Sequence, residues 1–339
     1  MYIANATGCS SIWGGSAPAT PYTTNAKGQG PAWANSLFED NAEFGLGMFT
    51  GQNTLREQTK EKVVALAEST DNADVKAAAA EYLDTYADGS KNGAATDKLV
   101  AALEACGCDA AKEILAKKEF LSKKSQWIFG GDGWAYDIGF GGVDHVLASG
   151  RDINVMVFDT EVYSNTGGQS SKSTPTGAIA QFAAGGKETK KKDMASIAMS
   201  YGYVYVAQIS MGADFNQTVK AIAEAEAYPG PSLIIAYAPC INHGIKGGMS
   251  IAQTEEKKAV DAGYWHLFRF DPRLALDGKN PFQLDSKAPT MDYEDFIMGE
   301  VRYNSLARSN PERAKELFAK AKKNAEEKYA HLVKLAQGE

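Results

Sequence analysis

Cysteine is scarce in this sequence, and long apolar runs are missing. Four cysteines among 339 residues are too few for the disulfide framework of a secreted protein, so we expect a protein of the reducing cytoplasm. No apolar run approaches the roughly 18 residues that a membrane span needs. The first residues lack the basic region and the apolar stretch of a secretory signal, so we expect no membrane partner.

The sequence also has fewer basic than acidic residues. The 35 Lys and Arg residues are outnumbered by 42 Asp and Glu, and the net charge of −7 argues against nucleic acid as the main partner. Apolar residues make up 44% of the chain, which is enough for a substantial core, and 33 glycines against 11 prolines exclude a collagen-like or proline-rich chain. The length suits two domains or one large α/β domain.

Residue patterning divides the chain into zones. Residues 1–50 predict loops around one short strand, Tyr2–Asn5. Residues 51–122 carry Ala, Lys, Glu and Leu at helical spacing and predict a helical insertion. Residues 271–291 predict loop, and residues 292–339 predict a C-terminal helical segment. Its last helix opens at Asn310-Pro311, a cap residue followed by proline at the first helical position.

Residues 123–270 alternate between strand-like and helix-like patterns. The predicted strands are Trp127–Phe129, Asn154–Asp159, Tyr203–Gln208, Ser232–Ala238 and Trp265–Phe270, and the predicted helices are Ile138–Ser149, Met194–Tyr201 and Asn216–Ala227. Continuous apolar strands separated by helices predict an α/β fold, a parallel sheet with helices on both faces. The aromatic run Tyr201–Tyr205 alternates at strand spacing and is expected in the core of the sheet.

Polar residues follow the predicted strands at the edge where parallel α/β sheets bind ligands. Gly131-Asp132-Gly133 follows one strand, Thr160 follows the next, Cys240 follows a third, and Cys9 follows the N-terminal strand. The interval from Asp132 to Thr160 holds one helix of about twelve residues and one strand, the length of a right-handed crossover. We therefore expect Asp132 and Thr160 to lie side by side.

A carboxylate and a hydroxyl at this edge suit Mg²⁺, which prefers oxygen ligands and shares them with substrate phosphates. The glycines beside Asp132 would let the backbone approach a diphosphate. Other phosphate-binding patterns fail, because Gly131–Tyr136 lacks the third glycine of a dinucleotide fingerprint and Gly168–Lys172 does not fit a P-loop. We interpret Gly131-Asp132-Gly133, with Asn165-Thr166-Gly167-Gly168 one crossover later, as a thiamine diphosphate–Mg²⁺ site.

Longer motifs make the resemblance specific. The segments that carry it are 6–14, 28–33, 36–40, 131–139, 160–170 and 279–285. Over nearly the whole chain the sequence resembles the C-terminal thiamine diphosphate-binding region of the pyruvate:ferredoxin (flavodoxin) oxidoreductases. The resemblance implies one thiamine diphosphate-binding domain over residues 1–339. It also implies oxidative decarboxylation of pyruvate to acetyl-coenzyme A, with electrons passed through an adjacent [4Fe–4S] cluster to ferredoxin or flavodoxin.

The resemblance also implies residue roles. Asp132, the Thr160 hydroxyl and the Val162 carbonyl would hold Mg²⁺, and Gly131, Gly133 and Trp134 would line the diphosphate. Asn165 would be catalytic, near the thiazolium and the substrate. Cys9, beside the cofactor, and Cys240 would be two of the four ligands of the [4Fe–4S] cluster.

The sequence departs from the family pattern at the cluster. The other two cluster cysteines form a C-x-x-C upstream of the region that begins here at Met1, so we expect them from a preceding segment or from another chain. Cys106-Gly107-Cys108, with its different spacing in the helical zone, is expected to be structural. The partners would be the remaining domains or subunits, with a homodimer as the complete assembly.

Three functions stay open on the sequence alone. The first is the oxidoreductase. The second is a non-redox thiamine diphosphate-dependent decarboxylase or carboligase in which the cysteines are structural. The third is a non-catalytic, truncated cofactor-binding module. The basic run Lys187–Lys192 is expected to be a solvated loop, with docking of an acidic ferredoxin as the alternative.

Overall fold

The computed structural model describes residues 1–8, 10, 24–26 and 28–338. The chain forms two compact units. One consists of Met1–Tyr2 and Gly45–Gln126, and the other of Ile3–Phe44 and Trp127–Glu339. Among the described residues, no helix is long and apolar enough to cross a membrane.

A β-sheet forms the framework of the second unit. The strands in chain order are β1 (Tyr2–Ala6), β2 (Ala32–Ser36), β3 (Gln126–Gly131), β4 (Asn154–Asp159), β5 (Val162–Tyr163), β6 (Gln169–Ser170), β7 (Tyr205–Ile209), β8 (Ser232–Tyr237), β9 (Phe268–Phe270) and β10 (Phe282–Leu284). As far as the chain is described, eight of them form one sheet in the order β10-β9-β7-β8-β4-β3-β1-β2. Strands β5 and β6 pair separately as a short antiparallel ribbon.

The centre of the sheet is parallel. β3 pairs with β4, β4 with β8, and β8 with β7, all in parallel register. This arrangement confirms the predicted α/β fold with a largely parallel sheet. One edge differs from the prediction, because β9 runs antiparallel to β7 and β10 runs antiparallel to β9. Strand β10 lies in the segment that was predicted as loop.

Helices occupy much of the chain between the strands. In chain order they are α1 (Asn41–Ser69), α2 (Ala73–Asp84), α3 (Asn92–Cys106), α4 (Asp109–Leu115), α5 (Phe140–Ala148), α6 (Met194–Met199), α7 (Phe215–Ala227), α8 (Ala252–Asp261), α9 (Arg273–Leu276), α10 (Tyr293–Ile297), α11 (Val301–Ser309) and α12 (Pro311–Gln337). A π-helical turn, Gly133–Ile138, links β3 to α5. Ala221 and Ala225 of α7 pack against Tyr205 and Ala207 of β7, which fixes this helix on the sheet.

The prediction that the aromatic run Tyr201–Tyr205 lies in the core of the sheet is wrong for the residues before β7. The strand begins only at Tyr205, which is fully buried, whereas Tyr203 is 41% exposed. Gly202 has a φ of 75°, a left-handed turn that interrupts the extended pattern. The hydroxyl of Tyr203 donates to the Ala148 carbonyl instead of entering the core.

Residues 51–122 are largely helical and lie in the first compact unit, whose core is an apolar cluster formed by α1, α2, α3 and α4. Tyr82, Leu99 and Leu103 are fully buried there. Arg56 donates to the carbonyls of Leu121 and Tyr86 and ties α1 to this cluster. None of these contacts places a catalytic group.

The C-terminal helix begins where the sequence predicts. The Asn310 side chain accepts a hydrogen bond from the Arg313 backbone N–H at 3.2 Å, and Pro311 occupies the first helical position. Cap and proline together define the start, because proline has no N–H to leave unsatisfied. Leu317 and Phe318 bury the apolar side of α12.

Candidate active site

Asp132 lies at the carboxyl end of β3 and is completely buried. Its Oδ1 accepts hydrogen bonds from the Thr160 hydroxyl at 2.8 Å and the Thr160 N–H at 3.2 Å. Its Oδ2 accepts one from the Ser171 hydroxyl at 2.6 Å. Burial, and then repulsion from Asp159, raise the pKa of Asp132 to about 8.

Thr160 joins Asp132 to a main-chain oxygen. The Thr160 Oγ1 is 2.8 Å from Asp132 Oδ1 and 3.0 Å from the Val162 carbonyl oxygen. A hydroxyl has one proton and cannot fully satisfy both acceptors. The prediction that Asp132 and Thr160 lie side by side is confirmed, and three oxygen atoms of different kinds meet at this point.

The residues after β3 pack more tightly than the sequence suggests. Trp134 is fully buried, and a Cβ atom added at Gly130 would lie 2.2 Å from its ring. A Cβ atom at Gly133 would lie 2.5 Å from the ring of Tyr163. On the side where the Tyr163 ring packs, Gly133 can therefore offer a ligand only its backbone. Gly131 ends β3 in a buried position.

Glu161 separates Thr160 from Val162 and has an unusual backbone. Its φ is 60°, in the left-handed region, and its side chain is buried. Oε1 accepts from Lys191 at 2.9 Å, and Oε2 accepts from Arg302 at 2.8 Å. Burial alone would raise the pKa of Glu161, but Lys191 and then Arg302 outweigh it and lower the pKa to about 2.

Buried ion pairs continue on both sides of Glu161. Lys191 Nζ also lies 2.8 Å from Asp159 Oδ2, which accepts a further hydrogen bond from the Tyr136 hydroxyl at 2.9 Å. Arg302 Nε donates to Glu300 at 2.6 Å. We call Asp159, Glu161, Lys191, Glu300 and Arg302 the buried ion network, in which only the Lys191 side chain, 25% exposed, reaches the surface.

The buried ion network touches the loop that contains Cys240. His243 Nε2 lies 2.8 Å from the Thr160 carbonyl oxygen, and His243 Nδ1 lies 3.6 Å from Glu300 Oε1. Both side chains are fully buried. The two loops that carry Thr160 and Cys240 are thus packed together through one imidazole.

Cys240 and Asn165 lie on neighbouring loops beyond the same sheet edge. The Ser164 hydroxyl donates to Cys240 Sγ at 2.9 Å, and Asn242 donates to the Ser164 carbonyl at 3.2 Å. Cys240 is half-buried, and Asn165 is exposed. Cys9 lies outside the described residues, so the structure does not bear on its predicted role.

The basic run Lys187–Lys192 is only partly the solvated loop that was predicted. Lys191 belongs to the buried ion network, and Lys187 donates to the Ser171 carbonyl. Lys190 does lie at the surface, paired with Glu327 at 2.8 Å. Sequence reasoning also missed Ser171 and Arg302. Ser171 lies 39 residues from Asp132, and Arg302 lies 141 residues from Glu161, so no local spacing indicates either contact.

The described residues contain no group of three or more His, Cys, Asp or Glu side chains positioned to hold a metal ion. Asp132, Thr160 and Val162 instead offer one carboxylate, one hydroxyl and one carbonyl oxygen. This set of oxygens fits Mg²⁺, which keeps several ligands from water or phosphate. Zn²⁺, which favours nitrogen and sulfur, does not suit these oxygen atoms.

Comparison with known proteins finds sequence similarity over almost the whole chain. Residues 101–236 match the family model described as "Thiamine pyrophosphate enzyme, C-terminal TPP binding domain". The chain is 56% identical over 338 residues to a pyruvate-flavodoxin oxidoreductase of Klebsiella pneumoniae and 57% identical over 345 residues to a pyruvate:ferredoxin oxidoreductase of Moorella thermoacetica. These alignments cover 99% and 100% of this chain. Over almost its whole length, the chain is therefore similar to one region of the pyruvate:ferredoxin (flavodoxin) oxidoreductases.

Both of these oxidoreductases are much longer than the chain, which spans 29% of each. A solved 2-oxoglutarate:ferredoxin oxidoreductase of Magnetococcus marinus aligns with 86% of this chain and 73% of its own, at 14% identity and a TM-score of 0.43. The likeness to the pyruvate oxidoreductases rests on the sequence identity.

Proposed function

We propose that this chain supplies the thiamine diphosphate–Mg²⁺ site of a pyruvate oxidoreductase. The reaction is the oxidative decarboxylation of pyruvate to acetyl-coenzyme A, with electrons passed through a [4Fe–4S] cluster to ferredoxin or flavodoxin. The observation that carries the proposal is the meeting of Asp132 Oδ1, Thr160 Oγ1 and the Val162 carbonyl at one point. The names of the relatives give the substrate.

The charge around Asp132 supports a divalent cation. Asp132 and the buried ion network together contain four carboxylates, of Asp132, Asp159, Glu161 and Glu300, against the cations of Lys191 and Arg302. Burial, and then the neighbouring Asp159 carboxylate, disfavour the ionised form of Asp132 and raise its pKa. Mg²⁺ held by Asp132, Thr160 and Val162 would offset negative charge and would coordinate two oxygens, Asp132 Oδ1 and the Val162 carbonyl, that compete for the one Thr160 hydroxyl proton.

The diphosphate would lie beside the start of the π-helical turn. Gly131 and Gly133 would offer backbone, and Trp134 would close the site from the interior. The indole nitrogen of Trp134 is buried and has no hydrogen-bond partner in the described part of the chain. Backbone N–H groups at the start of a helical segment favour an anion.

Thiamine diphosphate, when bound, supplies the carbanion chemistry of the reaction. The chain's own residues would hold and orient it. Asn165, exposed beyond β5, would lie near the thiazolium and the substrate. Cys240 and Cys9 would bind the [4Fe–4S] cluster, and the Ser164 hydroxyl already donates to Cys240.

The proposed assembly is larger than this chain. The remaining domains or subunits would complete the cluster and the coenzyme A site, and the complete enzyme would be a homodimer. Support for additional domains comes from the length of the relatives, of which this chain spans 29%.

The substitution Asp132→Ala tests the proposal in the enzyme that contains this chain. We expect loss of Mg²⁺-dependent thiamine diphosphate binding and loss of pyruvate- and coenzyme A-dependent reduction of ferredoxin. Asp144→Ala is the matched control, because Asp144 contacts Tyr201 and not the site. Full activity in the Asp132 variant would refute the ligand assignment.

Iron and sulfide analysis of the anaerobically purified enzyme separates the oxidoreductase from a non-redox enzyme. The proposal requires both elements in the preparation that reduces ferredoxin. Thiamine diphosphate without a cluster, together with continued decarboxylation of pyruvate, would identify a decarboxylase or carboligase instead. Absence of cofactor binding in every assembly state would indicate a non-catalytic module.

A further inference from the structure

We propose that Glu161 is a positioning residue that preorganises the two Mg²⁺ ligands on either side of it. The inference rests on the proposed function, because it assigns a role relative to Thr160 and Val162. It concerns conformation, and Glu161 itself need not touch the ion. Its basis is a strained backbone held by a fully bonded, buried side chain.

The backbone of Glu161 is the first step of the argument. Among the described residues, only Glu161 and Phe182 are non-glycine residues with positive φ, and Phe182 is 93% exposed whereas Glu161 is buried. For residues other than glycine this conformation costs roughly 5- to 30-fold in equilibrium constant. Glycine would adopt it without that cost. The presence of Glu instead indicates that its side chain is needed.

The second step is the way the conformation is held. Besides Lys191 and Arg302, the Glu161 carboxylate accepts from the Tyr264 hydroxyl at 2.5 Å. The Glu161 N–H donates to Asp159 Oδ1 at 3.1 Å, and the Glu161 carbonyl accepts from the Thr174 hydroxyl at 2.5 Å. Every polar group of the residue is therefore bonded, to partners from five separate positions in the chain. Strain persists where surrounding contacts determine the conformation in this way.

The third step is what the conformation achieves. A left-handed residue reverses the local direction of the chain, so the side chain before it and the carbonyl after it can face the same point. Thr160 Oγ1 and the Val162 carbonyl oxygen are 3.0 Å apart as a result. Without the anchored Glu161, the loop would relax, and Mg²⁺ binding would have to restore the strained conformation.

The experiment compares Glu161→Ala with Glu161→Gly in the enzyme that contains this chain. Mg²⁺ is titrated at saturating thiamine diphosphate, and binding is followed by calorimetry and by tryptophan fluorescence. We expect the alanine variant to need roughly 5- to 30-fold more Mg²⁺, the cost of a left-handed alanine in a loop no longer anchored. The glycine variant should need less Mg²⁺ than the alanine variant, since glycine tolerates the conformation.

Saturating Mg²⁺ should restore turnover of both variants to within about twofold of the unsubstituted enzyme, because the ligands themselves are intact. Glu224→Gln is the matched control. Glu224 forms a comparable ion pair with Arg269 at 2.7 Å, but Arg269 also pairs with Asp285 and lies outside the buried ion network. This variant should bind Mg²⁺ normally even where its thermal stability falls.

Two results would overturn the inference. One is a folded Glu161→Ala variant with unchanged Mg²⁺ affinity, and the other is a glycine variant that binds Mg²⁺ no better than the alanine variant. If neither variant folds, Glu161→Gln, which keeps the shape and the Tyr264 contact, must show a reduced Mg²⁺ affinity, and unchanged affinity refutes the role. Asp132→Ala separates the two hypotheses: if that variant also binds Mg²⁺ normally, the proposed site itself is wrong.

Discussion

Arg302→Met is the most direct test of the buried ion network. The Arg302 side chain is 2% exposed and donates to Glu300 at 2.6 Å, to Glu161 at 2.8 Å and to the Tyr264 hydroxyl at 2.9 Å. Methionine occupies a similar volume without the charge. Two buried carboxylates would then lose the cation that they share.

The expected loss is large. Removal of one partner from a buried ion pair typically lowers the free energy of unfolding by about 3–5 kcal/mol, because the other charge stays buried and unpaired. Lys257→Met provides the contrast. Its pair with Asp261 is as short, at 2.6 Å, but Lys257 is 58% exposed, and such surface pairs contribute about 0.5 kcal/mol or less.

Urea unfolding followed by tryptophan fluorescence measures the loss of unfolding free energy in the unit that contains Arg302. The sequence has five tryptophans, and none lies in Gly45–Gln126, so the signal reports on the unit that contains the sheet. The free energy is obtained from the midpoint and the slope of the transition. A loss below about 1 kcal/mol for Arg302→Met would refute the view that this cation holds the two carboxylates in place.

Three further predictions concern other parts of the sheet unit. Gly130→Ala should lower the free energy of unfolding by about 1–3 kcal/mol and alter tryptophan fluorescence, because the new Cβ would lie 2.2 Å from the Trp134 ring. Burial, and then Lys328, lower the pKa of His266 to about 4 from an ordinary value of 6.5. Between pH 4 and pH 6.5, His266 is therefore protonated in the unfolded protein and neutral in the folded protein. Urea unfolding should therefore show up to about 3 kcal/mol less stability from His266 as the pH falls from 6.5 to 4. Cys240→Ser should lower iron and sulfide content while thiamine diphosphate still binds.

Each of these predictions has a control. Gly141→Ala, where an added Cβ meets nothing within 4 Å, should not destabilise the protein. His266→Asn, compared with the unsubstituted protein, should flatten the pH dependence of the stability. Cys108→Ser should leave iron content unchanged. An unchanged pH profile for the His266 variant, or unchanged iron for the Cys240 variant, would contradict the corresponding prediction.

Local sequence signals were sufficient for the centre of the sheet. The predicted strand Asn154–Asp159 matches β4 residue for residue, since a run buried on both faces is apolar throughout. The spacing between Asp132 and Thr160 also predicted their contact, because a single crossover returns the chain to the same edge. Both inferences depend on residues that are near one another in sequence.

The remaining features depend on distant pairing. Arg302 meets Glu161 from a helix 141 residues away, and a charged residue in a helix gives no sign in sequence that it will be buried. The predicted strand Trp265–Phe270 contains β9, but its sequence gives no sign that it pairs antiparallel to β7. Strand β10 has three residues, too few for a periodic pattern. Lys191 was misjudged for the same reason, since its carboxylate partners lie outside its own loop.

The glycines around Asp132 have a consequence for how such signatures are interpreted. Gly130, Gly133 and Gly139 each leave space that an indole or phenol ring of the protein already fills. Their identity would be constrained even in a descendant that had lost its vitamin-derived cofactor. The glycines of this segment record an aromatic packing requirement, and the carboxylate between them is the better guide to whether a homologue still binds metal.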